Sequence, residues 1–454
     1  MVSAFLEKLR RAEAAETRMI YAGELPGIMR KHIITGAMGT VYFALISGMF
    51  LVAFGSALGL KQWEWGLLSS GASLMLVFQL ASAYVVGRTG NRRHLWFTTA
   101  LVGRLMRGVA IAVAFFLSDS APSGARTAFI LLLILSTVFD AVSTPPWLSW
   151  LTDIIPEKQH GHFMGRRGAW ASLANVCMIV PLGFMLDHVP HGSTKLVLLL
   201  VFALALAVGV ADLFIHRTIP VPPMELAPRR HFWHEVAMPL HDPRFRPWLL
   251  FSVWWTFGAT LGGALAMVYF VENLGISHNL FGGSVVLIML PLLGTVVTGK
   301  YFGTMIDRYG VNRTLRWGYR LCAVLPAFWM FATPHTAMWW LGAAALIGGL
   351  GGTAAMTAAS KLTTRLPERE HVAMYAAVST CTASLAGAAG AGLAGLFLYL
   401  LRSFSFTVGG VTVVGFHVLF VVSLVVCNLS LSIIRRIPEP SRLTEPVADQ
   451  KAAA

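Results

Sequence analysis

Three ionisable side chains stand where a bilayer core would not tolerate them singly: Arg104 and Arg107 in one apolar run, and Asp140 in the next. A charge near mid-bilayer costs several kcal/mol unless it faces a cavity or a partner. Counting from His94, Arg104 lies about 15 Å deep and Arg107 about 20 Å deep on one face of a helix, and Asp140 lies about 18 Å from the far end of its own helix. The matching depths of Arg104 and Asp140 predict that they meet. Such a meeting fits a buried ion pair that stitches helices together. It fits equally a proton site on Asp140 whose affinity changes with access, or an arginine that binds an anion.

Other polar residues in apolar runs invite plainer readings. Asp212 and Arg320 sit closer to the ends of their runs and are expected to snorkel to the surface. His417, alone on an apolar helix, reads as a structural histidine. Cys177, Cys322, Cys381 and Cys427 all fall within apolar runs at spacings that suit neither a metal nor a redox pair. No GxSxG, HExxH or dense His/Asp cluster marks a catalytic centre, so no catalytic residue, metal site or cofactor is expected. A nucleotide-binding loop of the Gly-rich Lys/Ser type is also missing, which argues against ATP as a direct energy source.

The elements that carry these residues follow from composition. Of 454 residues, 56% are hydrophobic and only 12% charged, against roughly a quarter charged in a soluble domain. Mean hydropathy is +0.67. A bilayer crossing takes about 20 apolar residues. Apolar runs occur at Ile33 to Leu60, Trp65 to Val86, Leu95 to Leu117, Ala128 to Leu151, Ala169 to Leu186 and Leu196 to Ile215. After a polar break they resume at Trp248 to Val271, Val285 to Met305, Leu315 to Ala332, Met338 to Ala359, Ala373 to Leu401 and Val413 to Ile434. The fold class is therefore all-α, a polytopic membrane protein of about 12 transmembrane helices. Gly, Ala, Ser and Thr at helical spacing, as in Ala386 to Gly395, allow close helix approach.

Basic residues beside spans stay on the cytoplasmic side. With an even number of crossings and the N terminus inside, the inner segments hold roughly 28 of the 35 Lys and Arg, and the outer loops hold only Lys61, Arg126, Lys195 and Arg402. Both termini are thus expected in the cytoplasm. The net charge of +14 is spread over short inner loops, where topology and anionic headgroups account for it and nucleic acid does not. The chain divides into a cytoplasmic N-terminal segment (1–32), a first six-helix bundle (33–217), a linker (218–246), a second bundle (247–436) and a cytoplasmic tail (437–454). The first segment lacks the apolar core of a signal peptide; its Val2, Phe5, Leu6 and Leu9 suit the membrane surface.

The two bundles repeat each other. "ALGLKQWEWG" from Ala57 matches "NLGISHNLFG" from Asn273, "GRTGNRRHL" from Gly87 matches "DRYGVNRTL" from Asp307, and "LTDIIPEKQH" from Leu151 matches "LTTRLPEREH" from Leu362. Three matches in the same order, about 210 to 220 residues apart, point to a duplicated six-helix unit. The best-marked loop is "GTMIDRYGVNRTL", with Gly303, Asp307, Arg308, Gly310 and Arg313. Its first-half copy keeps Arg88, Gly90, Arg92 and Arg93 but has Ala83 and Gly87 where Gly and Asp are wanted. Gly310 supplies positive φ for the turn. Asp307 suits a helix N terminus or an arginine across the interface between halves. The bland alternative is that these charges only anchor the loop at the inner surface.

On these residues, from Ile33 to Arg436, the chain resembles the major facilitator superfamily (MFS) of transporters. The stretch "PPWLSWLTDIIPEKQHGHFMGRRGAW" also looks like the fourth-to-fifth loop of a bacterial branch of it. The resemblance implies two pseudo-symmetric bundles rocking about a central site, with inner-loop charge contacts stabilising the outward-open state. It implies a secondary active transporter of a small-molecule substrate, possibly coupled to protons with Asp140 as carrier. A monomer in a bacterial inner membrane is the expected setting. The fold would turn Asp140 and its arginines toward the cavity, along with Trp254, Trp255 and Thr256. An aromatic wall there suits sugars, drugs or other ring-bearing solutes, although lipid packing explains the tryptophans equally well. Gln79, Tyr42 and Asn175 are further candidates to reach the cavity. A membrane-embedded enzyme, or a sensor or lipid-handling protein on the same fold, are the alternatives.

Overall fold

The computed structural model describes residues 17–155, 157–190, 193–224, 232–276, 279–294, 309–367, 372–408 and 411–439. The first half runs through α1 (Leu25–Ala57), α2 (Gln62–Thr89), α3 (Arg93–Leu117), α4 (Pro122–Ile154), α5 (Glu157–Asp187) and α6 (Thr194–Arg217). A short helix, α7 (Phe232–His241), leads into the second half. This contains α8 (Arg246–Asn273), α9 (Leu280–Gly294), α10 (311–331), α11 (Ala337–Arg365), α12 (Val372–Leu400) and α13 (Gly415–Arg436). Strands β1 (Ser405–Val408) and β2 (Val411–Val414) form a hairpin before α13. Over its described residues, each of the twelve apolar runs falls mainly on one of these helices.

Ten of the helices are long and apolar enough to cross a membrane. Over its described residues α9 is shorter, and α10 is interrupted at Val324 and carries Arg313, Arg316 and Arg320. Several helices overrun their apolar runs: α1 begins at Leu25 and α4 continues to Ile154. Staying helical keeps backbone groups bonded where water is scarce. In α1 the chain breaks stride at Ser47 and Gly48, and Gly48 takes a φ of +57°.

The packing repeats between the halves. In the first, α1 packs on α5 and α6, and α3 packs on α4; in the second, α8 packs on α12 and α13, and α10 packs on α11. The halves meet through two symmetry-related pairs, α2 along α12 and α5 along α9. At the first of these, Gly66 and Gly395 face each other so closely that a Cβ on either would strike the other's backbone.

Burial is distributed unevenly along the helix axes. One apolar cluster joins both halves, and it includes Phe50, Phe54, Trp65 and Phe129 with Tyr269, Phe270, Leu280 and Phe420. These residues lie toward the far face, the end opposite the chain termini. Toward the termini face the core splits in two. Trp96, Trp150, Phe163 and Leu213 pack within the first half, and Phe245, Trp248, Phe251 and Leu362 pack within the second. A core shared at one end and divided at the other leaves a crevice open toward the termini face.

Candidate functional site

Charges are concentrated inside the first half. Arg104 donates to Asp212 Oδ2 at 2.8 Å and to the Gly209 carbonyl, and its guanidinium lies 4.7 Å from the centroid of the Tyr42 ring. Side-chain exposure is 7% for Arg104 and 6% for Asp212. Gly39 leaves the space for Asp212 on α1, since a Cβ there would stand 3.1 Å from Oδ2. Arg107, one turn on, pairs with Asp140 of α4 and lies 5.5 Å from the Phe43 ring. The pairing predicted from depth, Arg104 with Asp140, is therefore replaced by two pairs. Residues 104 and 107 stand about 60° apart around the helix and one turn apart along it, and the first reaches α6 while the second reaches α4. Asp212 does not snorkel. It is 4% exposed and serves as the counter-charge of Arg104.

Closer to the termini face, α1, α5 and α6 bring together His32, His216, Thr35 and Arg167. The two imidazoles meet edge to face at 4.7 Å, and His216 Nδ1 lies 2.9 Å from Thr35 Oγ1. Arg167 lies over Trp147 at 5.1 Å and against Gly36. In the sequence each of these residues stands near the end of an apolar run, and no spacing ties one to another.

The crevice holds a different chemistry. A cavity of about 380 Å³ is walled by Ser73 and Leu76 of α2, Trp248, Ser252, Thr256 and Thr260 of α8, Thr363 of α11, and Ser379, Thr380, Ser384 and Gly387 of α12. It runs from the termini ends of these helices to their middles. No charged residue lines it among the described residues. Thr260, Thr363, Thr380 and Ser384 spend their hydroxyl protons on carbonyls one turn back in their own helices, so each hydroxyl oxygen keeps a lone pair with which to accept. Ser379 accepts from Trp248 Nε1 at 3.2 Å. At Gly387 a Cβ would touch Thr256 and Thr260 at 3.4 and 3.6 Å, so this glycine keeps the inner end of the cavity open.

The tryptophans named as a wall do not form it. Trp254, 48% exposed, lies on the side of α8 away from Ser252 and Thr256. Trp255 packs into the second half, 4.5 Å from the Tyr319 ring. Gln79 is half-buried one turn beyond Leu76. Tyr42 is fully buried beneath Arg104, and the Asn175 side-chain oxygen is buried without a hydrogen-bond partner. His417 is held between the Val414 N–H at 3.2 Å and the Tyr269 hydroxyl at 3.5 Å.

Three contacts close the far face. Asp187, at the end of α5, accepts from the backbone N–H groups of Leu280 and Phe281 at 2.6 and 2.8 Å, and Asn279 accepts from Gly282 at 2.8 Å. The N terminus of α9 is thus capped by its own N-cap residue and by a carboxylate from the other half. Ser56 of α1 donates to Glu272 of α8 at 2.7 Å.

At the termini face the described loop contacts stay within each half. Gly90 and Gly310 adopt φ values of +66° and +87°. Arg92 is fully buried and bonds Asp153, the Ser149 carbonyl and the Pro222 carbonyl. Arg93 reaches the Arg217 carbonyl at 3.4 Å, and Arg88 bonds the Tyr84 hydroxyl at 2.9 Å. Arg313 lies 5.0 Å from the Tyr309 ring. The start of α10 is capped by Glu439 from the C-terminal segment, which accepts from Val311 and Asn312 N–H. Gly303, Asp307 and Arg308 lie outside the described residues.

A model of the Major Facilitator Superfamily matches residues 32–391 and 255–453. The chain belongs to the Major Facilitator Superfamily. No curated protein matches the sequence. Solved structures share the fold at low identity. A variant of the nucleoside transporter NupG aligns at TM-score 0.64 and 11% identity over 90% of this chain and 99% of its own. A POT family transporter bound to a conjugated peptide gives TM-score 0.64 and 11% identity over 91% and 97%. A bacterial metal transporter gives TM-score 0.58 and 13% identity over 92% and 99%. As an MFS protein this chain is an integral membrane secondary transporter of a small molecule. The likenesses carry the fold, and the cargo has to be read from the cavity.

Proposed function

We propose that this MFS transporter carries a small uncharged solute, held by the hydroxyl wall of α2, α8, α11 and α12, in exchange for or together with a proton bound at Asp140. The observation that carries the reading is the divided core, joined at the far face and split around a hydroxyl-lined cavity toward the termini face. An ionic cargo would have to leave water for a wall without a counter-charge, at a cost of several kcal/mol. Within the first half Arg104 and Arg107 are already matched by Asp212 and Asp140. A solute with O–H or N–H donors loses nothing there, because each donor finds an oxygen. Among the described residues the wall has no acid or histidine beside its hydroxyls with which to activate them, which favours transport over catalysis.

The same reading puts both termini in the cytoplasm of a bacterial inner-membrane protein that works as a monomer. Residues 33–217 and 247–436 act as the moving bodies, with 218–246 linking them and 1–32 and 437–454 outside the bilayer. Asp140 is the preferred proton carrier because it is the less buried of the two paired acids, its side chain 17% exposed against 6% for Asp212.

The test is uptake into proteoliposomes under an imposed pH gradient, with a panel of neutral polyols and their charged analogues. Neutral members should move faster than through protein-free vesicles, and Asp140→Asn should abolish the dependence on the gradient. Thr256→Val should lower uptake about tenfold, the loss of one hydrogen bond of about 1.4 kcal/mol, while Thr256→Ser should not. Full pH dependence in Asp140→Asn would move the carrier elsewhere, and flux of charged members alone would refute the neutral cargo.

A further inference from the structure

Between α10 and α13, on the outside of the second half, lies a cleft that the transport reading does not use. The second part of α10, Leu325–Phe331, packs closely on α13, whereas its first turns stand off toward the termini face. The resulting cavity has a volume of about 560 Å³. Arg316 and Arg320 enter it from α10 and Arg435 from α13, joined by Asn428, Ser432, Val324 and Leu431.

Among the described residues, three guanidiniums share this space without a carboxylate. The ion pairs among the described residues involve other arginines, and Arg316 Nε is buried with no hydrogen-bond partner. Asn428 and Ser432 bond carbonyls of their own helix, at Leu424 and Leu429, each at 2.8 Å, and neither supplies negative charge. Like charges gathered in one cleft repel one another, and an anion among them relieves the repulsion.

Position narrows the anion. Arg316 stands about 8 Å and Arg320 about 14 Å along α10 from Val311. These are the depths of the headgroup layer and the first carbons of the acyl chains. Val324, one turn deeper, and Leu431 make the floor of the cleft apolar. A basic mouth over an apolar floor, open to the lipid side of two peripheral helices, matches an amphiphile. Arginine forks grip phosphate oxygens in pairs, and basic pockets between helices at this face suit anionic headgroups.

We propose that this cleft binds an anionic phospholipid of the surrounding bilayer, its phosphate held by Arg316, Arg320 and Arg435 and its acyl chains lying along Val324 and Leu431. Free phosphate shares the headgroup chemistry but leaves the apolar floor bare.

The experiment uses the purified full-length protein, stripped of lipid. Phosphatidylglycerol, phosphatidylcholine or inorganic phosphate is added back, and lipid retention is read by native mass spectrometry beside the melting midpoint. Phosphatidylglycerol should be retained about tenfold better than phosphatidylcholine and should raise the midpoint, while equimolar phosphate should do neither and should not displace it. Arg316→Gln/Arg320→Gln/Arg435→Gln should lose the preference, and the single change Arg435→Gln should weaken it if the triple variant does not fold. Equal retention of the two lipids overturns the proposal, as does a preference that survives these substitutions or a phosphate effect equal to that of the lipid.

Discussion

Arg104 shows why a buried charge in this protein is read by its partners and not by its depth. Depth along a helix is legible from residue counts, and it put Arg104 level with Asp140. The angle around the helix decided the outcome, and that depends on how α3 is rotated against α4 and α6. The Arg104–Asp212 pair makes a definite prediction. Asp212→Ala leaves an arginine unpaired in the core and should cost about 3 to 5 kcal/mol, whereas Arg104→Met/Asp212→Leu should recover most of it. Thermal denaturation in detergent reads both, and a single variant as stable as the double would contradict the assignment.

Outside the bilayer, Glu24 carries a residue-scale pH effect. Arg18 donates to it at 2.8 and 3.0 Å, and this hydrogen bonding, with the Tyr21 N–H, holds its carboxyl below the ordinary value of 4.5. A carboxyl lowered by folding contributes stability above its unfolded value and loses it as pH falls through the folded one. Protection of the segment that pairs Arg18 N–H with the Val221 carbonyl should therefore hold at neutral pH and fade below 4.5. Hydrogen exchange on this segment should report the fading, and Glu24→Gln should remove the pH dependence.

Among the elements, α9 carries the strongest claim about movement. Its N terminus is capped from the opposite half by Asp187, and charge-assisted bonds of this kind contribute about 1 to 3 kcal/mol. They exist only while the far face is closed, so they bias the equilibrium between states without locking it. Asp187→Ala should expose the buried interface. Met49 lies 3.7 Å from the position of a Cβ on Gly283 and is 3% exposed. A Met49→Cys reporter, in a background where the four native cysteines are replaced by Ala, should label at least about fivefold faster with an impermeant thiol reagent in Asp187→Ala. Unchanged labelling would mean that the cap does not hold the face shut. Asp187 could not be picked out beforehand, and of the hydroxyl wall only Thr256 could. An acid at a span end looks like any loop acid, and Ser and Thr at helical spacing look like close-packing residues until α8 and α12 are seen to turn them toward one space. Trp254 and Trp255 failed in the converse way, since bulk suggested a binding wall while the rotation of α8 turned them to the exterior and into the second half.

At the scale of the whole molecule the sequence was far more informative. Twelve apolar runs and three repeated polar loops anticipated two related bundles, because hydrophobic length and duplicated loop chemistry survive in the sequence without knowledge of packing angles. Conformational state is a different matter: it depends on which end of the inter-half interface is packed, and the residues at both ends are similarly apolar. The structure joins the halves at the far face and parts them at the termini face, and the account rests on these being the two ends of one rocking motion.

Paired spin labels test this most directly, with Arg30→Cys and Arg244→Cys at the termini face and Asp119→Cys and His335→Cys at the far face, each pair alone in the cysteine-free background. Moving from the otherwise native chain to Asp187→Ala should shorten the first distance and lengthen the second. Two distances that stay fixed, or that change in the same sense, would contradict the account.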